Sequence, residues 1–111
     1  MKKEEKIEKV IRDGKVAVLI SGGYGAGWYT WSDGCLQCLF SPTIVKMVEE
    51  DKIDQITDEF CAKLFKKKYF YSGGASSLRI KWLDEGTKFK IDEYDGAESL
   101  VIIDQIKYIT A

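Results

Sequence analysis

The pattern of apolar and polar positions divides the chain into a first half with helices and a second half rich in strands. Between Lys3 and Arg12 the apolar residues recur at helical spacing, and Gly14 lies where a C-terminal cap would be. This predicts a short amphipathic helix within residues 1–14 that is prone to fray, because its apolar stripe is narrow. Lys15–Ile20 is short, mostly apolar and closed by glycines, which predicts a buried strand.

Two further helices are predicted in the middle of the chain. Ser41-Pro42 is a typical helix start, since serine suits the N-cap and proline suits the first helical position. The acidic run Glu49–Asp51 should end this helix, because negative charge is unfavourable at a helix C-terminus. The next helix can start at Asp54 or Thr57. Lys66–Lys68 should close its last turn, where cations are favourable.

The remaining segments read as strands and turns. Leu78–Trp82 and Phe89–Ile91 alternate between apolar and charged residues around the turn Asp84–Gly86, so we expect them to form an antiparallel hairpin. The pattern also predicts shorter extended segments and a further turn, namely Cys35–Phe40, Tyr69–Tyr71, the turn Asp95-Gly96, Leu100–Ile103 and Tyr108-Ile109. The strand Lys15–Ile20 can join the same sheet. We therefore predict an α+β fold, an antiparallel β meander or sheet packed against two or three short helices, in a single domain 1–111.

Composition narrows the function classes. Seventeen basic and eighteen acidic residues leave a formal charge of −1, so the chain has no net field to attract nucleic acid or an anionic membrane. No apolar run is long enough to cross a bilayer, and the charged N-terminus does not resemble a secretory signal. An odd number of cysteines without such a signal favours a reducing cytoplasm.

The chain contains no histidine, the commonest general base and metal ligand. We therefore expect a protein that is not an enzyme and that uses no metal and no cofactor.

The most unusual segment is the glycine- and aromatic-rich loop Gly22–Trp31. Glycines allow close approach of a ligand to the backbone, and aromatic rings offer flat faces for stacking on a base, a sugar or a guanidinium. The loop is neither a P-loop nor a dinucleotide-binding fingerprint, because the required lysine and glycine spacings are missing. The alternative is a structural corner with aromatic rings plugging the core. The candidate ligand-binding residues are Tyr24, Gly25, Gly27, Trp28, Tyr29 and Trp31, together with Arg79.

Three other groups could carry chemistry, and each has a simpler explanation. Cys35 and Cys38 have CxxC spacing, but a metal or redox site is less favoured than two buried, inert thiols. The lysine run Lys66–Lys68 could contact phosphates, although a solvated helix end explains it better. The carboxylates of Asp92–Glu98 could serve acid–base or metal chemistry but also suit a hairpin turn. The default for Arg79 is an ion pair with one of these carboxylates.

Three stretches together resemble a group of small uncharacterised proteins of phages and prophage regions. They are Val16–Trp31, with its GYGAGWYTW-type loop, Phe40–Val45 and Gly86–Gly96. The resemblance implies an accessory phage protein, a class whose tasks often concern host defence. It implies no activity and no site residues.

These observations favour a non-enzymatic binding protein, expected to be a cytoplasmic homo-oligomer, that holds a small planar or nucleotide-like ligand through the loop. On this hypothesis it could sequester a host defence signal. A second hypothesis is a protein–protein interaction module that binds a host protein through the same aromatic residues, which are typical of interface hot spots. A third is a small hydrolase or metal enzyme that uses the Asp92–Glu98 carboxylates.

Overall fold

The computed structural model of the protein describes residues 7–32 and 34–103. These residues form an α+β fold with a three-stranded and a two-stranded antiparallel sheet and three short α-helices. The strands are β1 (Ile11–Arg12), β2 (Lys15–Ser21), β3 (Leu78–Asp84), β4 (Phe89–Tyr94) and β5 (Ala97–Ile102), and the helices are α1 (Leu36–Phe40), α2 (Pro42–Glu49) and α3 (Asp58–Leu64). Two 3₁₀ turns, Ile53–Gln55 and Gly73–Ser77, precede α3 and β3.

Strand β2 is the centre of the fold, as its apolar sequence predicts. Ala17 and Leu19 are fully buried on one face, in a cluster with Trp28 and the apolar residues of α2. Val18 and Ile20 are buried on the other face, against α1 and the apolar residues of β4 and β5. Since both faces of β2 are covered, its sequence is a continuous apolar run rather than an alternation.

The pairing of the strands differs from the hairpin predicted for Leu78–Trp82 and Phe89–Ile91. Strand β3 pairs with β2 along its whole length, from Ser21 opposite Leu78 to Lys15 opposite Asp84, and β4 pairs with β5. Alternation identifies a strand but not its partner, and the pairing with β2 places β3 over the main core, where Ile80 and Trp82 pack. The turn Asp95-Gly96 closes the β4–β5 hairpin as predicted.

The predicted N-terminal helix is wrong for the part that the structure describes. Residues 7–10 have no helix, and β1 pairs with the start of β2. Asp13 and Gly14 lie between them with φ of 50° and 75°, the conformation of a tight hairpin turn rather than of a helix cap. Residues 1–6 and the predicted strand Tyr108-Ile109 lie outside the described residues.

The predicted starts of α2 and α3 are confirmed, whereas the predicted end of α3 and the extended segment Cys35–Phe40 are wrong. Ser41 caps α2 by accepting the Ile44 N–H, and Thr57 caps α3 by accepting the Phe60 N–H. Helix α2 ends at Glu49, as the acidic run predicts. Helix α3 ends at Leu64, so Lys66–Lys68 lie beyond its last turn. The segment predicted as extended, Cys35–Phe40, instead forms α1, which Cys35 caps.

No helix within residues 7–32 and 34–103 is long and apolar enough to span a membrane.

Candidate functional site

The glycine- and aromatic-rich loop connects β2 to α1 and lies against the β4–β5 hairpin. The Gly25 N–H donates to the Asp95 carbonyl at 2.6 Å, and the Gly22 N–H donates to the Ser77 carbonyl at 3.3 Å. The turn of the hairpin and the 3₁₀ turn before β3 therefore hold the loop from two directions. Both contacts join segments more than fifty residues apart in the sequence.

A buried carboxylate fixes both ends of the loop. Glu98, on β5, is only 3% exposed. It accepts the Ser21 N–H at 2.8 Å, and the N–H and hydroxyl of Thr30, each at 2.7 Å. A buried carboxylate is tolerated only when such donors surround it. Both carboxylate oxygens of Glu98 thus accept hydrogen bonds that anchor the loop.

The glycines serve close packing. Gly96 has a φ of 89°, and a side chain there would collide with the backbone of Ala26 in the loop. Gly74, in the 3₁₀ turn, lies so close to the Gly27 carbonyl that a β-carbon would overlap it. Close packing against the loop therefore explains Gly96 and Gly74, whereas a β-carbon on Gly25, in the loop itself, would meet nothing within 4 Å.

Replacing Gly96 by alanine is expected to destabilise the protein more than replacing Gly86. Both glycines have positive φ, 89° and 83°, but a β-carbon on Gly86 meets nothing within 4 Å. Gly86→Ala should thus cost only the backbone strain, about 1–2 kcal/mol. Gly96→Ala should cost clearly more, because the loop must also move. Urea unfolding of both variants measures this difference. Equal losses of unfolding free energy in the two variants would show that the loop moves away from a β-carbon at position 96 without loss of stability.

The aromatic residues of the loop divide into core and surface. Trp28 is fully buried, packs edge to face against Phe65 and Phe70, and donates its indole N–H to the Cys38 carbonyl at 2.8 Å. Tyr29 is half-buried and packs against both core clusters. Trp28 therefore belongs to the core and is not available to stack on a ligand.

Tyr24 and Trp31 lie at the surface, and each meets a tyrosine from a distant segment. Tyr24 contacts Tyr94 edge to face at 6.5 Å between ring centroids, and both rings are 76% exposed. Trp31 stacks on Tyr71 at 6.2 Å with 24° between the ring planes. Glu93 lies next to Tyr94 in the sequence and accepts a long hydrogen bond, 3.4 Å, from the Trp31 indole.

A cleft of about 360 Å³ opens beside Trp31. Its walls include Trp31, Tyr69, Lys67 and Lys68, together with Ser32 and Phe70. The Lys68 ammonium lies 5.8 Å from the centre of the Tyr69 ring. The cleft combines exposed aromatic rings with two cationic side chains, the groups that recognise a planar anion.

Arg79 lies away from this cleft. Its guanidinium packs against Gly22, and its side chain lines a second cleft, of about 370 Å³, between β3 and β5. The expected ion pair is wrong within the described chain, where Arg79 joins no carboxylate. Arg79 and Trp31 therefore do not share one cleft.

Sequence reasoning missed the partners of the loop. The sequence predicts only an extended segment for Tyr69–Tyr71, a hairpin turn within Asp92–Glu98 and a solvated helix end for Lys66–Lys68. Their composition, aromatic residues beside lysines, was the available signal. Only the tertiary contacts bring them next to Trp31.

The acidic segment Asp92–Glu98 contains the expected hairpin turn, whereas the cysteine pair differs from expectation. Within residues 7–32 and 34–103, no group of three or more acidic or cysteine residues is arranged to hold a metal ion. Cys35 and Cys38 form a disulfide, with Cys35 partly exposed, so the interpretation as two inert thiols is corrected. Cys61 is a free, buried thiol, and burial raises its pKa to about 12.

Comparison with protein-family models, with curated proteins and with solved structures finds no match for this chain.

Proposed function

We propose that the protein is a non-enzymatic binding protein that holds a small planar, anionic ligand of nucleotide type in the cleft beside Trp31. The observation that carries this proposal is the meeting of the exposed Trp31 and Tyr69 rings with Lys67 and Lys68 in one cleft. The rings supply stacking surface, and the lysines supply positive charge for a phosphate. Arg79 and Trp28 take no part in this version of the site.

The dimensions and energetics of the cleft are suitable. A volume of about 360 Å³ falls within the range of about 300–1,000 Å³ that is usual for small-molecule sites. Stacking of one base on an aromatic side chain contributes about 1–3 kcal/mol. Tyr71 covers one face of the Trp31 indole and restricts its movement, so less conformational freedom is lost on binding.

The resemblance to small phage proteins supplies a biological context for this proposal. A protein that binds a nucleotide-like signal without converting it lowers the free concentration of that signal in the cytoplasm. Sequestration of a host defence signal by a homo-oligomer is the task that we propose.

The binding proposal predicts that Trp31→Ala abolishes binding of nucleotides while Tyr24→Ala leaves it unchanged. Isothermal titration calorimetry should be run on the purified chain with a panel of nucleoside phosphates and cyclic oligonucleotides. Tyr24 is the matched control, because it is an exposed aromatic residue of the same loop and does not line the cleft. Lys68→Gln should weaken binding and reduce its dependence on salt concentration. At a ligand concentration of about 1 mM, even a site with a Kd near 1 mM is half occupied. Absence of binding to the wild type at this concentration would contradict the proposal.

A second candidate function rests on the Tyr24–Tyr94 pair. Two tyrosines with 76% of each surface exposed are suited to a protein interface, in which tyrosine is enriched. We propose that this pair contacts a host protein. Capture of a stoichiometric host partner that is lost in Tyr24→Ala but kept in Trp31→Ala would favour this function over ligand binding. The reverse pattern would assign the partner to the Trp31 cleft.

A further inference from the structure

Cys35 and Cys38 do not line the proposed binding cleft, although Lys67 lines both that cleft and the one beside Cys35, and they are linked by a disulfide. Their two sulfurs have unequal access. Cys35 is partly exposed and lines a cleft of about 590 Å³, whereas Cys38 is fully buried in the core. Of the two residues, only Cys35 is therefore open to a thiol from outside the protein.

The surroundings of Cys35 suit a thiolate. The Cys38 N–H donates to the Cys35 sulfur at 3.3 Å. Lys66 and Lys67 line the same cleft, so positive charge is present where a thiolate would form. Hydrogen-bond donors and cations both favour the ionised form of a cysteine, which is the reactive form.

The third cysteine provides a contrast within the same molecule. Cys61 is fully buried, and its pKa is raised to about 12 by burial and by the negative charge of Asp58. Such a thiol stays protonated at neutral pH and is a poor nucleophile. Reactivity is therefore expected at one cysteine of the pair and not at Cys61.

We propose that the Cys35–Cys38 pair is a thiol–disulfide exchange site, with Cys35 as the sulfur that meets the partner and Cys38 as the resolving sulfur. The partner is a dithiol or disulfide, either of low molecular weight or on another protein. This activity is independent of the proposed ligand binding, since it requires neither Trp31 nor a nucleotide.

The exchange is balanced in atoms and electrons. A thiolate of the donor dithiol attacks the Cys35 sulfur, a mixed disulfide forms, and the Cys35–Cys38 bond breaks with its electron pair on Cys38, which takes a proton. The second thiolate of the donor then attacks the donor sulfur of the mixed disulfide and releases Cys35 as a thiolate. Cys35 then takes a proton as well, so two electrons and two protons have passed from the donor, now a disulfide, to the cysteine pair. In the reverse direction the Cys38 thiolate attacks Cys35 in the mixed disulfide and releases the reduced partner.

The test is a redox titration of the native, full chain. The protein is equilibrated in glutathione or dithiothreitol buffers of graded composition, alkylated with N-ethylmaleimide and weighed by mass spectrometry. One alkyl group, on Cys35, should appear as the buffer becomes more reducing, with a two-electron dependence, while the fully buried Cys38 and Cys61 stay unlabelled until the protein is denatured. A pair that remains closed in excess dithiothreitol under native conditions, or that cannot be closed by oxidised glutathione, would overturn the proposal.

Single variants test the assigned roles. Cys38→Ala should leave Cys35 able to form a stable mixed disulfide with oxidised glutathione, whereas Cys35→Ala should leave Cys38 unmodified. The unequal burial of the two sulfurs predicts this asymmetry. Equal modification of both variants, or modification of Cys38 alone, would contradict it. Circular dichroism of each variant verifies the fold, and the wild-type titration decides the proposal even where a variant does not fold.

Discussion

Trp28→Ala is expected to lower the free energy of unfolding by about 3–5 kcal/mol, the range observed when a large buried aromatic side chain is truncated. The indole is fully buried among Phe65, Phe70 and the residues around β2. Its removal leaves a cavity and also leaves the Cys38 carbonyl without its 2.8 Å donor. Small domains have only about 5–15 kcal/mol of total stability, so this loss is a large fraction of it.

Urea unfolding followed by circular dichroism measures this effect, and Trp31→Ala is the matched control. Trp31 belongs to the same loop but is 41% exposed, so its truncation should cost about 1 kcal/mol or less. Trp28→Phe should fall between the two, because it keeps most of the ring volume and loses the hydrogen bond. A loss below about 1 kcal/mol for Trp28→Ala would contradict the burial of this residue.

Glu98→Ala is expected to destabilise the protein by at least about 3 kcal/mol and to loosen the loop. Three donors converge on this carboxylate, from Ser21 and Thr30. Each hydrogen bond to a charged group contributes about 1.5–3 kcal/mol, and the variant removes the acceptor of the Ser21 and Thr30 N–H groups. Hydrogen exchange should accelerate at the Ser21 and Thr30 amides in the variant more than in the rest of β2.

Glu93→Ala is the control for this prediction. Glu93 lies directly opposite Glu98 in the β4–β5 pairing, but its side chain is exposed and accepts one short bond, from the Gly96 N–H at 2.6 Å. Because water can replace the bonds of an exposed carboxylate, removal of Glu93 should lower the free energy of unfolding by only about 1 kcal/mol. The stability of Glu98→Gln should lie between those of the two alanine variants. The glutamine amide keeps one acceptor oxygen, but its NH₂ group faces N–H or O–H donors of Ser21 or Thr30 and cannot accept from them. Equal stability of the two alanine variants would show that Glu98 does not anchor the loop.

The structure divides the glycine- and aromatic-rich loop into parts with different tasks. Ala26 and Gly27 pack closely against Gly96 of the hairpin turn and Gly74 of the 3₁₀ turn, and Trp28 completes the core. Tyr24 and Trp31 remain at the surface, where each contacts an exposed tyrosine of another segment. The two interpretations of the loop, structural corner and binding surface, therefore apply to different residues of it.

Local signals in the sequence determined the fold class, the position of the central strand and two helix starts. The apolar run of β2, the Ser41-Pro42 cap and the Thr57 cap act within a few residues, so their effects can be read without the rest of the chain. The Asp95-Gly96 turn was equally local. The helix prediction is wrong over residues 7–12 because Asp13-Gly14 suits a hairpin turn equally well, and this turn lets Ile11-Arg12 pair with the edge of β2.

Only the tertiary structure decided which strands pair, which aromatic residues are buried and what surrounds Trp31. Strand β3 lies nearly sixty residues after β2, and alternation is the same whichever strand is the partner. Trp28 and Trp31 are three residues apart with similar neighbours, yet one is fully buried and the other is 41% exposed. Composition identified the loop, but burial and proximity depend on contacts between distant segments, and those contacts placed Lys67, Lys68 and Tyr69 beside Trp31.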